Sequence, residues 1–149
     1  DILGNEYSAI LKNIYAIAAG IASGLGYGDN FNAVLVSNAI REMELFLDAI
    51  YPEHREVNDS AYLGDLLVTA YSLFSRNRNL GNLIGKGYTV KSAVQSMSMV
   101  AEGYYATRGI YEIAYEKKLK TPIINTVFSI LYEGKDAEKQ FKKLTEKLT

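Results

Sequence analysis

Apolar residues in this 149-residue chain recur at three- and four-residue intervals nearly from end to end, and no stretch of useful length alternates apolar with polar side chains. Such a chain can bury its apolar positions only along helical faces, so its core must be helix packed on helix. The expected fold class is all-α. A hydrophobic content of 48% supplies a real core at this length, and no repeat or low-complexity tract interrupts it. We therefore expect one helical domain over residues 1–149.

Local signals divide the chain. Ile10, Ile14, Ile17 and Ile21 form one apolar stripe of a first helix, which "GLGYGDN" ends. Those glycines are spaced G-x-G-x-G and follow a helix, not a strand, so they read as a tight helix-to-helix connection and not as a phosphate loop. Asp29 or Asn30 can cap a second helix from Phe31 to Ile50, buried along Val36, Ile40, Met43, Phe46 or Leu47, and Ile50. "YPEHREVNDS" reads as a loop, a third helix starts near Gly64, and "SLFSRNRN" reads as a polar break before the apolar Asn82–Ile84. Thr89 can cap a short helix through Val94, and a long helix is expected from Gly103 to Leu119. Pro122 suits the first turn of a helix running to Tyr132 and stopped by Gly134; Asp136 opens a last, amphipathic one.

Composition removes several classes of function. A formal net charge of -1 with mixed signs gives no basic footprint for nucleic acid. With no cysteine and one histidine, His54, thiolate chemistry and multi-histidine metal sites are ruled out, and no metal is expected. The apolar run Ile14–Leu25 is shorter than the roughly 20 residues that span a bilayer, so no membrane span is expected, and a reduced cytoplasmic setting fits. The chain opens without methionine, straight into a helix, as a piece of a longer protein would.

Lys12 is the residue that periodicity does not explain. It lies roughly 180° from the apolar stripe, among Ser8, Ala16, Ala19 and Ser23 where a surface helix would carry charge. Ala16, Gly20 and Gly24, four apart, let another backbone approach this second face. Lys12 is then either a lysine whose stem covers apolar surface or an ammonium in a cleft, usable as acid or base. Asp65 and Thr69, four apart, share a helix face; Asp65 alone could be a first-turn carboxylate. Ser75, Arg76, Asn77 and Arg78 are either a solvated loop or a set of donors for a phosphate monoester.

Taken together and in order, "LKNIYAIAAGIASGLGYGDN", "LGDLLVT" followed by "SRNRNLG", "VAEGYYA" and "TPIINTVFSILYEGKD" resemble the C-terminal domain of bacterial NAD(P)-dependent sn-glycerol-3-phosphate dehydrogenases. The resemblance implies a multi-helical domain of the 6-phosphogluconate dehydrogenase C-terminal type. Lys12 would exchange the proton at the substrate C2 oxygen, and Asn13, Asp65 and Thr69 would line the pocket. Ser75, Arg76 and Asn77 would hold the phosphate of glycerol 3-phosphate or dihydroxyacetone phosphate. Arg76, Val100 and Glu102 would touch NAD or NADP, bound mainly by a Rossmann domain on the N-terminal side. That domain is the implied partner, a second copy of the chain is another candidate, and these 149 residues alone should be inactive. "YPEHREVNDSAY" departs from the family's usual "GADPETF" type of loop. A non-enzymatic helical interaction module is the competing reading.

Overall fold

The computed structural model describes residues 2–50 and 75–149, with side chains from residue 6 onward. These residues form helices and no strand: α1 (Ile2–Leu25), α2 (Asp29–Ile50), α3 (Arg76–Gly85), α4 (Val90–Ser96), α5 (Glu102–Glu116), α6 (Pro122–Tyr132) and α7 (Ala137–Thr145). The all-α expectation holds. The loop with His54 and the helix expected from Gly64 lie outside the described residues.

α1 is the axis of the core. Leu11, Ile14, Ile17 and Ile21 are fully buried, and so are Ala16 and Ala18 on other faces. Glu6–Leu25 is long and apolar enough to cross a bilayer by length and composition, which corrects the length argument from Ile14–Leu25: the apolar helix simply extends past Lys12 and Asn13. Here that apolar surface is covered by α2, α3, α5 and α6 instead.

The most extensive packing is between α1 and α3, and small residues make it possible. A methyl group at Gly20 would lie 2.9 Å from the Asn82 amide nitrogen; one at Gly81 would lie 2.8 Å from that of Ile21. At Gly24 and Gly85 the two backbones again close on each other. The contacts Ile17 with Gly81 and Ile21 with Gly85 advance together along both helices, so the pair runs parallel. This is the backbone approach expected at Ala16, Gly20 and Gly24; of the residues sharing that face, Ser8, Ala16 and Ala19 are buried while Ser23 is exposed.

Helix ends follow the local signals with a few shifts. Gly26, at φ 96°, takes the left-handed conformation that lets α1 turn directly into α2. α2 begins at Asp29, so Asp29 and Asn30 sit inside its first turn rather than before it. "SRNRN" is no break: Ser75 caps α3 by accepting from the Arg78 amide at 3.3 Å, and Arg76–Asn79 form the first turn. Its apolar period starts only at Leu80, which hides that turn from periodicity. Thr89 and Asp136 cap α4 and α7 through the amides of Ser92 and Lys139, as expected. α4 runs on to Ser96, α5 covers Glu102–Glu116 instead of Gly103–Leu119, and Gly134, at φ 67°, follows α6.

Among the described helices, α5 and α6 start without a side-chain cap bond from the residue before them. Ala101 before α5 offers no acceptor, and Thr121 before α6 makes no cap bond. Both are capped from other helices. The Gly103 amide of α5 donates to Asn77 Oδ1 at 2.8 Å. The Ile123 and Ile124 amides of α6 donate to the two carboxylate oxygens of Glu42 at 2.8 and 3.0 Å.

Candidate functional site

The parallel α1–α3 register decides which sequence motifs meet. Ile17 lies against Gly81, so one turn earlier on each helix Asn13 comes level with Asn77. A third element confirms the level: a Cβ at Gly103 would sit 2.7 Å from Asn77 Oδ1 and 2.9 Å from the Asn13 carbonyl oxygen. "LKN", "SRN" and "VAEG" therefore converge at one end of the bundle.

Around that junction the side chains divide into buried and exposed. Asn77 is 7% exposed, with its carbonyl oxygen turned to Gly103. Lys12, Asn13 and Ser75 are half-buried. Arg76 is exposed and lies over the turn that leads into α5: its Nε donates to the Val100 carbonyl at 3.1 Å and its Nη1 lies 3.8 Å from Met99 Sδ. Its Nη2 is 3.9 Å from Glu102 Oε1, a loose pair between two solvent-exposed side chains that contributes little stability. Met99 and Val100 are themselves exposed, and behind their turn is an apolar cavity of about 90 Å³ lined by Leu80, Val94, Met97 and Tyr104.

The predicted residues Lys12, Asn13, Ser75, Arg76, Asn77, Val100 and Glu102 thus fall in one neighbourhood, whereas Asp65 and Thr69 lie outside the described residues. What sequence reasoning missed is the use of Asn77 Oδ1 and the whole of Glu42. Glu42 is 5% exposed and also accepts from the Tyr15 hydroxyl at 3.2 Å. Burial pushes its carboxyl up to about 7 against the opposing pull of these hydrogen bonds. The Tyr15 hydroxyl is raised well above its ordinary value, by burial first and by the neighbouring Glu42 charge second. A glutamate next to Met43 on the core face, with "TP" opening a later helix, was the only available signal.

Residues 1–142 match the family described as the NAD-dependent glycerol-3-phosphate dehydrogenase C-terminus. Among similar proteins are the glycerol-3-phosphate dehydrogenases [NAD(P)+] of Desulfotalea psychrophila, 40% identical over 144 residues, and of Chlorobium limicola, 39% identical over 138. The chain is 97% covered by the first match and 93% by the second, but spans only 42% and 41% of those relatives' lengths. The crystal structure of glycerol-3-phosphate dehydrogenase from Coxiella burnetii superposes with a TM-score of 0.92 at 33% identity, over 98% of this chain and 45% of that one. The helical fold, the order of its motifs and these matches together show that the chain belongs to the family of NAD-dependent glycerol-3-phosphate dehydrogenase C-terminal domains.

Proposed function

We propose that this chain is the substrate-binding and proton-transferring part of an NAD(P)-dependent sn-glycerol-3-phosphate dehydrogenase, which interconverts dihydroxyacetone phosphate and sn-glycerol 3-phosphate. The observation that supports the reading is the meeting of the "LKN" turn, through Asn13, with Asn77 and Gly103 at one end of the α1–α3 pair, beside the Arg76–Glu102 pair. The donors there suit an anionic ligand: a guanidinium, an ammonium on the next helix, and the first amides of α3. They fit both a phosphate monoester and the edge of a phosphorylated nucleotide.

In this reading the phosphate of the substrate is held by Arg76, by the Ser75 hydroxyl and by the amide nitrogen of Asn77, whose oxygen is engaged with Gly103. That remote anchor orients C2 toward the proton carrier. Lys12 donates a hydrogen bond to the C2 carbonyl oxygen during reduction, passes its proton to the developing alkoxide, and takes the hydroxyl proton in the reverse direction. Asn13, Asp65 and Thr69 complete the pocket. Arg76, Val100 and Glu102 would hold the nicotinamide nucleotide, which when bound exchanges hydride with C2. The remaining contacts to that nucleotide fall to an N-terminal Rossmann domain, a second copy of the chain is a further partner, and the setting is cytoplasmic. A non-enzymatic interaction module gives no reason for these three motifs to meet.

The test is an assay of the full-length protein with dihydroxyacetone phosphate and each reduced cofactor. We expect oxidation of NADH or NADPH that requires the substrate. Arg76→Ala should lose roughly 3 kcal/mol of transition-state stabilisation, about a hundredfold in kcat/KM. Absence of turnover with both cofactors overturns the proposal.

A further inference from the structure

In the turn that carries Val100 and Glu102, Ala101 is buried, but Met99 and Val100 are exposed and an apolar cavity of about 90 Å³ lies behind them. Two adjacent residues of α3 also hold this turn. Arg76 reaches over the outside to the Val100 carbonyl, in an exposed contact that water can replace. Asn77 reaches under it, buried, and accepts from the Gly103 amide.

That inner bond is built for its place. Ala101 cannot cap α5, so the Gly103 amide would be an orphan donor without Asn77. Position 103 must lack a side chain, because a Cβ would meet Asn77 Oδ1, the Asn13 carbonyl and Ile17 Cδ1 within 2.9 Å. Downstream, the Gly103 carbonyl accepts from Thr107 Oγ1 at 2.6 Å, so the same residue is tied on both sides. Through Asn13 the junction also reaches the helix turn that carries Lys12.

We propose that Asn77 is a positioning residue for the cofactor side of the site: by capping α5 from α3 it sets where Val100 and Glu102 stand, separately from any contact of its own with the substrate phosphate. This rests on the dehydrogenase reading above.

The experiment measures binding of NADH and NADPH to the full-length protein without substrate, together with amide hydrogen exchange at Gly103. Asn77→Ala should weaken the binary complex with the cofactor about tenfold and speed exchange at Gly103, since a buried donor loses its acceptor. Asn77→Asp keeps an acceptor at a helix N-terminus and should restore both readouts to within about threefold of wild type. Should Asn77→Ala fail to fold, Asn77→Ser, whose hydroxyl is too short to reach the Gly103 amide, takes its place with the same expected loss. Unchanged cofactor affinity in the folded variant, or a rise confined to the KM for dihydroxyacetone phosphate, overturns the positioning role and leaves the dehydrogenase reading intact. If the wild-type protein binds neither cofactor, the dehydrogenase reading falls first and this proposal with it.

Discussion

Lys12 stands half-buried in a row where Ser8, Ala16 and Ala19 are buried against protein and only Ser23, at the far end, is exposed. A side chain that only covered apolar surface with its stem would be replaced by methionine at little cost. A proton carrier would not. Lys12→Met in the full-length protein should lower turnover at saturating substrate by about 10²- to 10⁴-fold while thermal stability stays within about 1 kcal/mol of wild type. Near-wild-type turnover in that variant would return Lys12 to a packing role. At this scale the sequence reading named Lys12, Arg76 and Glu102 as candidates, and for Asn77 it named phosphate binding without the bond its oxygen accepts from the Gly103 amide. The type of a residue shows that an amide can bind phosphate; only its neighbours show that the amide oxygen is already engaged.

Between elements, the decisive contact is the parallel pair of α1 and α3, where the glycines of one helix receive the backbone of the other. At Gly20 an added methyl group would lie 2.9 Å from the Asn82 amide nitrogen, with no flexible side chain to yield. Gly20→Ala should therefore destabilise by about 1–3 kcal/mol through overpacking, and it should also impair catalysis by parting the "LKN" turn from the "SRN" turn. Gly109 is the internal control: it lies within α5, and a methyl group there would meet nothing within 4 Å, so Gly109→Ala should stabilise by roughly 0.5–1 kcal/mol from helix propensity alone. Denaturant melts of the two variants should move in opposite directions. Helix ends were legible at the local caps Thr89 and Asp136. The start of α3 was not, because its first turn is polar and carries no apolar period.

For the molecule as a whole, Glu42 ties three helices together: it sits on α2, caps α6 and accepts from Tyr15 of α1. Its carboxyl is raised from 4.5 to about 7, chiefly by burial. Between those values the folded protein keeps a proton that the unfolded chain has released. Stability contributed here is therefore fully present below about pH 4.5, falls as pH rises toward about 7, and levels off above it. The loss amounts to roughly 3 kcal/mol at most, from the size of the shift. Glu42→Gln cannot ionise and should flatten that part of the profile, while giving up one acceptor for the α6 amides. Melting temperatures of both proteins from pH 5 to pH 8 check it; parallel curves would show that Glu42 does not titrate in this window.

What the sequence determined by itself is what neighbours along the chain can settle. An apolar period of three and four residues makes helices, and a Thr or Asp three residues ahead of a free amide starts them. Both depend on residues within one or two turns of each other, so all-α architecture, the α4 and α7 caps and the Pro122 start were readable. Tertiary structure alone decided which helix faces which. The Ile17–Gly81 register brings "LKN" to "SRN", and the caps that α5 and α6 lack locally come from Asn77, 26 residues from its partner, and Glu42, 81 residues from Ile123. Nothing in local spacing specifies such a pairing. It follows from close packing, which admits one register between two glycine-lined helices and then leaves each buried amide only the acceptor that this register brings to it.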